Sequence, residues 1–148
     1  MATRTIVEVP GVVRRKRFSE TYIGDWIMTV DHKKIGIMYV VTAFFFFLVG
    51  GMDALLIRTQ LAVPNAHVLT PEIYNQIFTM HGTTMIFLFV MPMLTGLGNY
   101  VVPLMIGARD MAFPRLNAFG YWVVLFGGLF LTSSFLFGAA PNDGWFSY

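Results

Sequence analysis

Three long apolar runs, at residues 35–57, 77–105 and 118–140, constrain this chain more than any other feature of its sequence. The first reads "IGIMYVVTAFFFFLVGGMDALLI", with Asp53 its single charge. At about 1.5 Å of rise per residue it reaches about 34 Å, enough to cross the hydrocarbon of a bilayer. Hydrocarbon offers no partner for a backbone N–H or C=O, so a run of this length pairs its own backbone as a helix. Composition agrees: 56% of the residues are hydrophobic and only 12% are charged, where a soluble domain carries about 25% charged residues. The expected fold is all-α, an integral membrane helical bundle with three transmembrane helices.

Charge sets the expected orientation. Seven of the ten basic residues (Arg4, Arg14, Arg15, Lys16, Arg17, Lys33 and Lys34) precede the first run. Arg58 lies between the first and second runs, Arg109 and Arg115 between the second and third, and none after the third. Basic residues near span ends are retained on the cytoplasmic side, which places the N-terminus inside and alternates the loops. Residues 1–34 are then a cytoplasmic and interfacial segment, and residues 35–148 the three-span portion. The "VVRRKR" cluster reads as a topology and membrane-surface signal rather than a nucleic-acid site. No removable signal peptide is expected, and the lack of cysteine excludes disulfides and thiolate metal sites within the chain.

Local chemistry marks the boundaries. Tyr22 and Trp26 suit the headgroup region, and Asp31 is placed to cap the first long helix. Pro64 and Pro71 are expected to break helix in the loop that follows. Pro92 and Pro103 predict kinks in the second span. Gly96, Gly98 and Gly107 predict a close neighbour, a helix or a flat cofactor.

One residue stands out in the second run, His81 in "FTMHGTTMIF". Ionisable groups within a span are costly and serve function by default. A neutral imidazole can hydrogen-bond a neighbouring helix. It is also a good ligand for heme iron through one nitrogen while the other holds a hydrogen bond. Gly82 beside it leaves room for a planar ring, and Met85, Phe87 and Phe89 offer apolar walls. A single histidine fills one axial position only.

The stretches "DHKKIGIMY", "YNQIFTMHGTTMIFLFVMP", "GLGNYVVPLMIGARDMAFPRLNAFGYW" and "GWFSY" together resemble the N-terminal part of subunit I of heme–copper terminal oxidases, with wording similar to bacterial cytochrome c oxidases. The resemblance covers residues 30–148 and implies a three-helix portion of a subunit with about a dozen helices in the bacterial plasma membrane. It implies that His81 is an axial ligand of a low-spin heme (heme a), with Arg58 against the heme's polar substituent and Trp145 near the propionates of the second heme. It also implies that Asp110 is the mouth of a proton-input channel, with Asn99 and Asn117 holding water inside it. Asp110 sits in the loop placed inside by the charge count, where protons would be taken up.

The resemblance also implies partners and absences. The other axial histidine, the high-spin heme ligand and the copper-binding histidines belong to later spans, so this chain would not ligate the high-spin heme or copper. His32 and His67 have no copper-site context. The chain would be a piece of subunit I, or one product of a split gene completed by a second chain. A copper-bearing subunit II, cytochrome c as electron donor, the lipid membrane and the remaining helices are the expected partners. Quinol oxidases of the same family are the nearest alternative. Their head-group positions match Asp53 and Gln76 here, but also Val49 and Ile73 where that pattern has arginine and histidine. Two lost hydrogen-bonding anchors would weaken such a site by about 1–3 kcal/mol each. A non-catalytic three-helix brace is a further alternative. A diheme b-type carrier would need paired histidines along two helices.

Overall fold

The computed structural model describes residues 21–145, which form helices and connecting turns with no strand among them. Arg4, the Arg14–Arg17 cluster and the last three residues of "GWFSY" lie outside the described residues.

A short helix, α1 (Tyr22–Ile27), begins where the Thr21 hydroxyl accepts the Gly24 N–H at 3.2 Å. An exposed ion pair, Lys34–Asp25 at 2.6 Å, ties it to the next helix; a pair of this kind contributes at most about 1 kcal/mol. The first long helix, α2 (His32–Gln60), starts at the expected Asp31 cap, whose carboxylate accepts the Lys33 N–H at 2.8 Å. Its buried residues are His32, Ile35, Gly36, Tyr39, Ala43, Phe46 and Gly50. Steps of three and four trace one stripe along a helix, and that stripe is where α2 meets its neighbours.

The second span is one 35-residue helix, Pro71–Met105, built as α3 (Pro71–Thr83), a π segment (Thr84–Val90) and α4 (Met91–Met105). It begins six residues before the expected start at 77, because Pro71 does not break helix. Proline lacks an N–H that the first helical residue does not need, and its fixed φ suits that position. Thr70 completes the start by accepting the Ile73 N–H at 3.3 Å. Pro92 sits just past the π segment. With no N–H to donate, it follows a widened stretch in which Met91 N–H reaches the Ile86 carbonyl five residues back.

The third long helix, α5, runs Pro114–Ser133, four residues earlier at its start and seven earlier at its end than the apolar run. The Ser133 and Ser134 hydroxyls bond back to the Phe130 and Leu131 carbonyls at 2.7 and 2.6 Å, competing with the helix ladder. Tighter turns follow, to Gly138 at φ 64°. Hydropathy does not register these events, so the apolar run overshoots the helix.

Packing centres on α2. Its closest approach to α4 is at Gly36 and Gly96: a Cβ on Gly36 would lie 2.8 Å from the Gly96 carbonyl oxygen, and one on Gly96 2.9 Å from that of Gly36. Small residues let membrane helices approach this closely. Gly98 and Gly107, read from sequence in the same way, have open space around them; Gly107 (φ 70°) instead ends α4, with Ala108 N–H on the Pro103 carbonyl at 2.9 Å. On its other side α2 meets α5 through Tyr39 and Tyr121, edge to face at 5.2 Å, and through the Thr42–Tyr121 hydroxyl pair at 3.0 Å. Many large apolar side chains face outward, among them Phe44, Phe45, Leu55, Phe126 and Phe130. Three helices long and apolar enough to cross a membrane, exposing such surfaces, define a multi-pass membrane protein.

Candidate functional site

Two polar constellations sit on α2, one where it meets α3 and the other where it meets α4. Each is organised by a histidine.

His81 is half-buried near the C-terminus of α3, and its Nδ1–H donates to the Gly50 carbonyl of α2 at 2.9 Å. A carbonyl only accepts, so this bond fixes the tautomer and leaves Nε2 as the lone-pair nitrogen. An imidazole held by Nδ1 in this way is oriented and made more basic at Nε2 for a metal. Trp145 approaches the neighbouring residue: a Cβ on Gly82 would lie 3.5 Å from the indole Nε1. Its ring also tilts against Phe87 at 5.6 Å. The turn carrying it is anchored by Gly144 N–H on the buried Thr79 hydroxyl at 3.1 Å. The space beside Gly82, read from sequence as room for a cofactor ring, is thus bordered by protein. Arg58 is exposed in the last turn of α2, eight residues past Gly50, about 12 Å along the axis. There it complements the helix dipole. The structure therefore brings Trp145 to the His81 segment and leaves Arg58 about two turns away.

At the other end Asn99 and Asn117 meet directly, with Asn99 Nδ2–H donating to Asn117 Oδ1 at 2.8 Å. The Asn117 Nδ2 is buried without a protein partner. Asn117 also lines a cleft of about 340 Å³, with Tyr39, Met111, Ala112, Phe113, Leu116 and Gly120. Asp110 is exposed at the rim of this region, where its carboxylate accepts the Met111 N–H at 2.8 Å. Arg109 and Arg115 are also exposed and form no ion pair with it. The walls of the cleft are mostly apolar, with Asn117 and Tyr39 as its polar side chains.

Sequence reasoning missed His32. Read as part of an interfacial stretch, it is in fact 2% exposed, with Nδ1–H donating to the Asn99 carbonyl at 2.9 Å. Its signal was present: His32, Ile35, Gly36 and Tyr39 share one helical face once the helix starts at Asp31. Among the described residues no three histidine, cysteine or acidic side chains converge to hold a metal ion.

A helical multi-pass membrane protein with two carbonyl-held imidazoles, one enclosed and one half-buried, and a cleft beside paired amides is the class these features define. The family model for Cytochrome C and Quinol oxidase polypeptide I matches residues 34–148, and the chain belongs to this family of heme–copper terminal oxidase subunits. It is 56% identical over 133 residues to cytochrome c oxidase subunit 1 of Bacillus subtilis (strain 168), covering 90% of this chain and 21% of that protein. Against cytochrome c oxidase subunit 1 of Bacillus sp. (strain PS3) the identity is 54% over 136 residues, 92% of this chain and 22% of that protein. Quinol oxidase subunit 1 of Bacillus subtilis (strain 168) is 52% identical over 124 residues, 84% of this chain and 19% of that protein. The chain thus spans about one-fifth of the relatives it matches.

Proposed function

We propose that residues 35–148 form the three-span, N-terminal portion of the catalytic subunit of a respiratory cytochrome c oxidase in the bacterial plasma membrane. Its N-terminus, with residues 1–34, lies in the cytoplasm. The complete enzyme would join oxygen, four electrons and four protons into two waters and pump further protons. The remaining helices of subunit I, or a second chain, and a copper-bearing subunit II complete it. One observation carries the reading: His81, unlike the enclosed His32, is only half-buried while its Nδ1–H rests on the Gly50 carbonyl, which leaves Nε2 to serve as a donor. Such a donor can fill one side of a heme. The resemblance of the His81 segment to the family's low-spin ligand position makes that heme the low-spin one (heme a); the copper and high-spin ligands would belong to other spans. When bound, the heme supplies a one-electron carrier. His81 holds it, Trp145 closes the surface next to His81, and Arg58 supplies positive charge for a polar heme substituent.

At the opposite end Asp110 collects protons from the cytoplasm, being exposed and acidic. The paired amides of Asn99 and Asn117 orient water at the cleft beneath it, with the free Asn117 Nδ2–H as a donor. Hydrogen-bonded water at a polar wall is what a proton needs to move inward.

A second reading, a quinol oxidase subunit I, has the support of the quinol oxidase relatives. Against it stand Val49 and Ile73, which offer no hydrogen bond where a quinol head group would need one. Oxygen uptake by the purified complete enzyme separates the two. Reduced cytochrome c is the expected donor, with little uptake from a soluble quinol; uptake from quinol alone would overturn the cytochrome c assignment.

A further inference from the structure

The α2–α3 loop is held by one side chain. Half-buried Gln60, the last residue of α2, donates from Nε2 to the Ala66 carbonyl at 2.5 Å. Its Oε1 accepts both the Val68 N–H at 3.0 Å and the Leu69 N–H at 2.8 Å. Only a primary amide donates and accepts in this way; a carboxylate accepts but has no N–H for Ala66. Within the loop Asn65 takes a left-handed backbone, φ 58°, a conformation that costs energy outside glycine and needs its surroundings to hold it. Thr70 follows at once as the cap of α3.

This clamp and the His81–Gly50 bond join the same two helices. Gln60 lies ten residues beyond Gly50 on α2, and Pro71 ten residues before His81 on α3, so the two rungs are about 15 Å apart along each helix. The second rung is a single hydrogen bond. The Gly36–Gly96 contact fixes the far end of this helix on α2, but a ten-residue loop left free would let α3 splay from α2 about the π segment that follows His81, and a splay of even an ångström lengthens that bond.

We propose that Gln60 is a positioning residue: by clamping the 61–70 loop it holds the N-terminal end of α3 against α2, and so keeps His81 Nδ1–H on the Gly50 carbonyl. The inference rests on the proposed ligand role of His81. A firm Nδ1–H bond raises the basicity of Nε2 and favours the oxidised state of an iron it binds. Loosening the clamp raises the midpoint potential of the low-spin heme.

The complete oxidase carrying Gln60→Leu or Gln60→Glu tests this with two readouts. The first is amide hydrogen exchange at Val68 and Leu69, independent of any cofactor. In Gln60→Leu it is expected to accelerate on the order of thirtyfold, the factor carried by two net hydrogen bonds. In Gln60→Glu, which keeps both accepted bonds, the increase is smaller. The second is the midpoint potential of the low-spin heme by spectroelectrochemistry, expected to rise in Gln60→Leu and less in Gln60→Glu. Unchanged exchange in Gln60→Leu would overturn the clamp, and faster exchange with an unmoved potential would overturn its positioning role. Failure of the ligand assignment looks different: low-spin absorption would persist in His81→Ala while Gln60→Leu still accelerated exchange.

Discussion

His32 and His81 make the same hydrogen bond. Each donates Nδ1–H to a backbone carbonyl across the α2 interface at 2.9 Å, His32 from α2 to Asn99 and His81 from α3 to Gly50. Their surroundings differ. His32 is 2% exposed, enclosed beside Ile35, Gly36 and Tyr39. His81 is only half covered and stands next to Gly82, with Trp145 and Phe87 nearby. An intramembrane histidine is therefore not informative by its presence or by its hydrogen bond. What separates a fastening from a ligand is whether the second ring nitrogen is left with somewhere to go.

The contrast can be broken from either side. The largest effect is expected from His81→Ala, which should abolish oxygen uptake driven by reduced cytochrome c in the complete enzyme. His32→Ala should leave turnover measurable but lower thermal stability by about 1–3 kcal/mol, because it removes a buried hydrogen bond and opens a void. A similar loss, about 1–3 kcal/mol from overpacking, is expected for Gly36→Leu, whose side chain meets the Gly96 carbonyl. Thermal unfolding of the assembled complex measures both. At the cleft, Asp110→Asn should lower the number of protons ejected per electron and slow turnover severalfold. Unaltered stoichiometry in a pH-electrode assay would remove Asp110 from the proton path. The smallest effect belongs to Asp31→Ala, which removes the α2 cap and should cost about 1 kcal/mol with no change in either histidine's role.

These residues also show where the sequence was legible. Span number and helix type followed from the apolar runs, because hydrocarbon leaves the backbone no other solution. The Asp31 cap followed from residue type and position. The family resemblance grouped Asn99 and Asn117 as water-holding positions, but the bond between them was not foreseen. Helix ends were less legible. Pro71 starts a helix where proline was expected to break one, since its effect depends on whether it sits at the first turn or inside. Ser133 and Ser134 end α5 through hydroxyl bonds that an apolar run does not reveal. His32 was misplaced because residue 32 was assigned to the headgroup region by its charged neighbours. The helical stripe it begins was not followed back to the cap. The Gln60 clamp leaves no sequence signal, because its three partners are backbone groups.

The central claim is that His81, held by Gly50, gives Nε2 to a low-spin heme, whereas His32 serves packing alone. The visible absorption of the complete enzyme in the two alanine variants tests this most directly. The expected result is loss of the low-spin heme band in His81→Ala and its full retention in His32→Ala. A low-spin band that survives His81→Ala in a fully assembled enzyme would contradict the account.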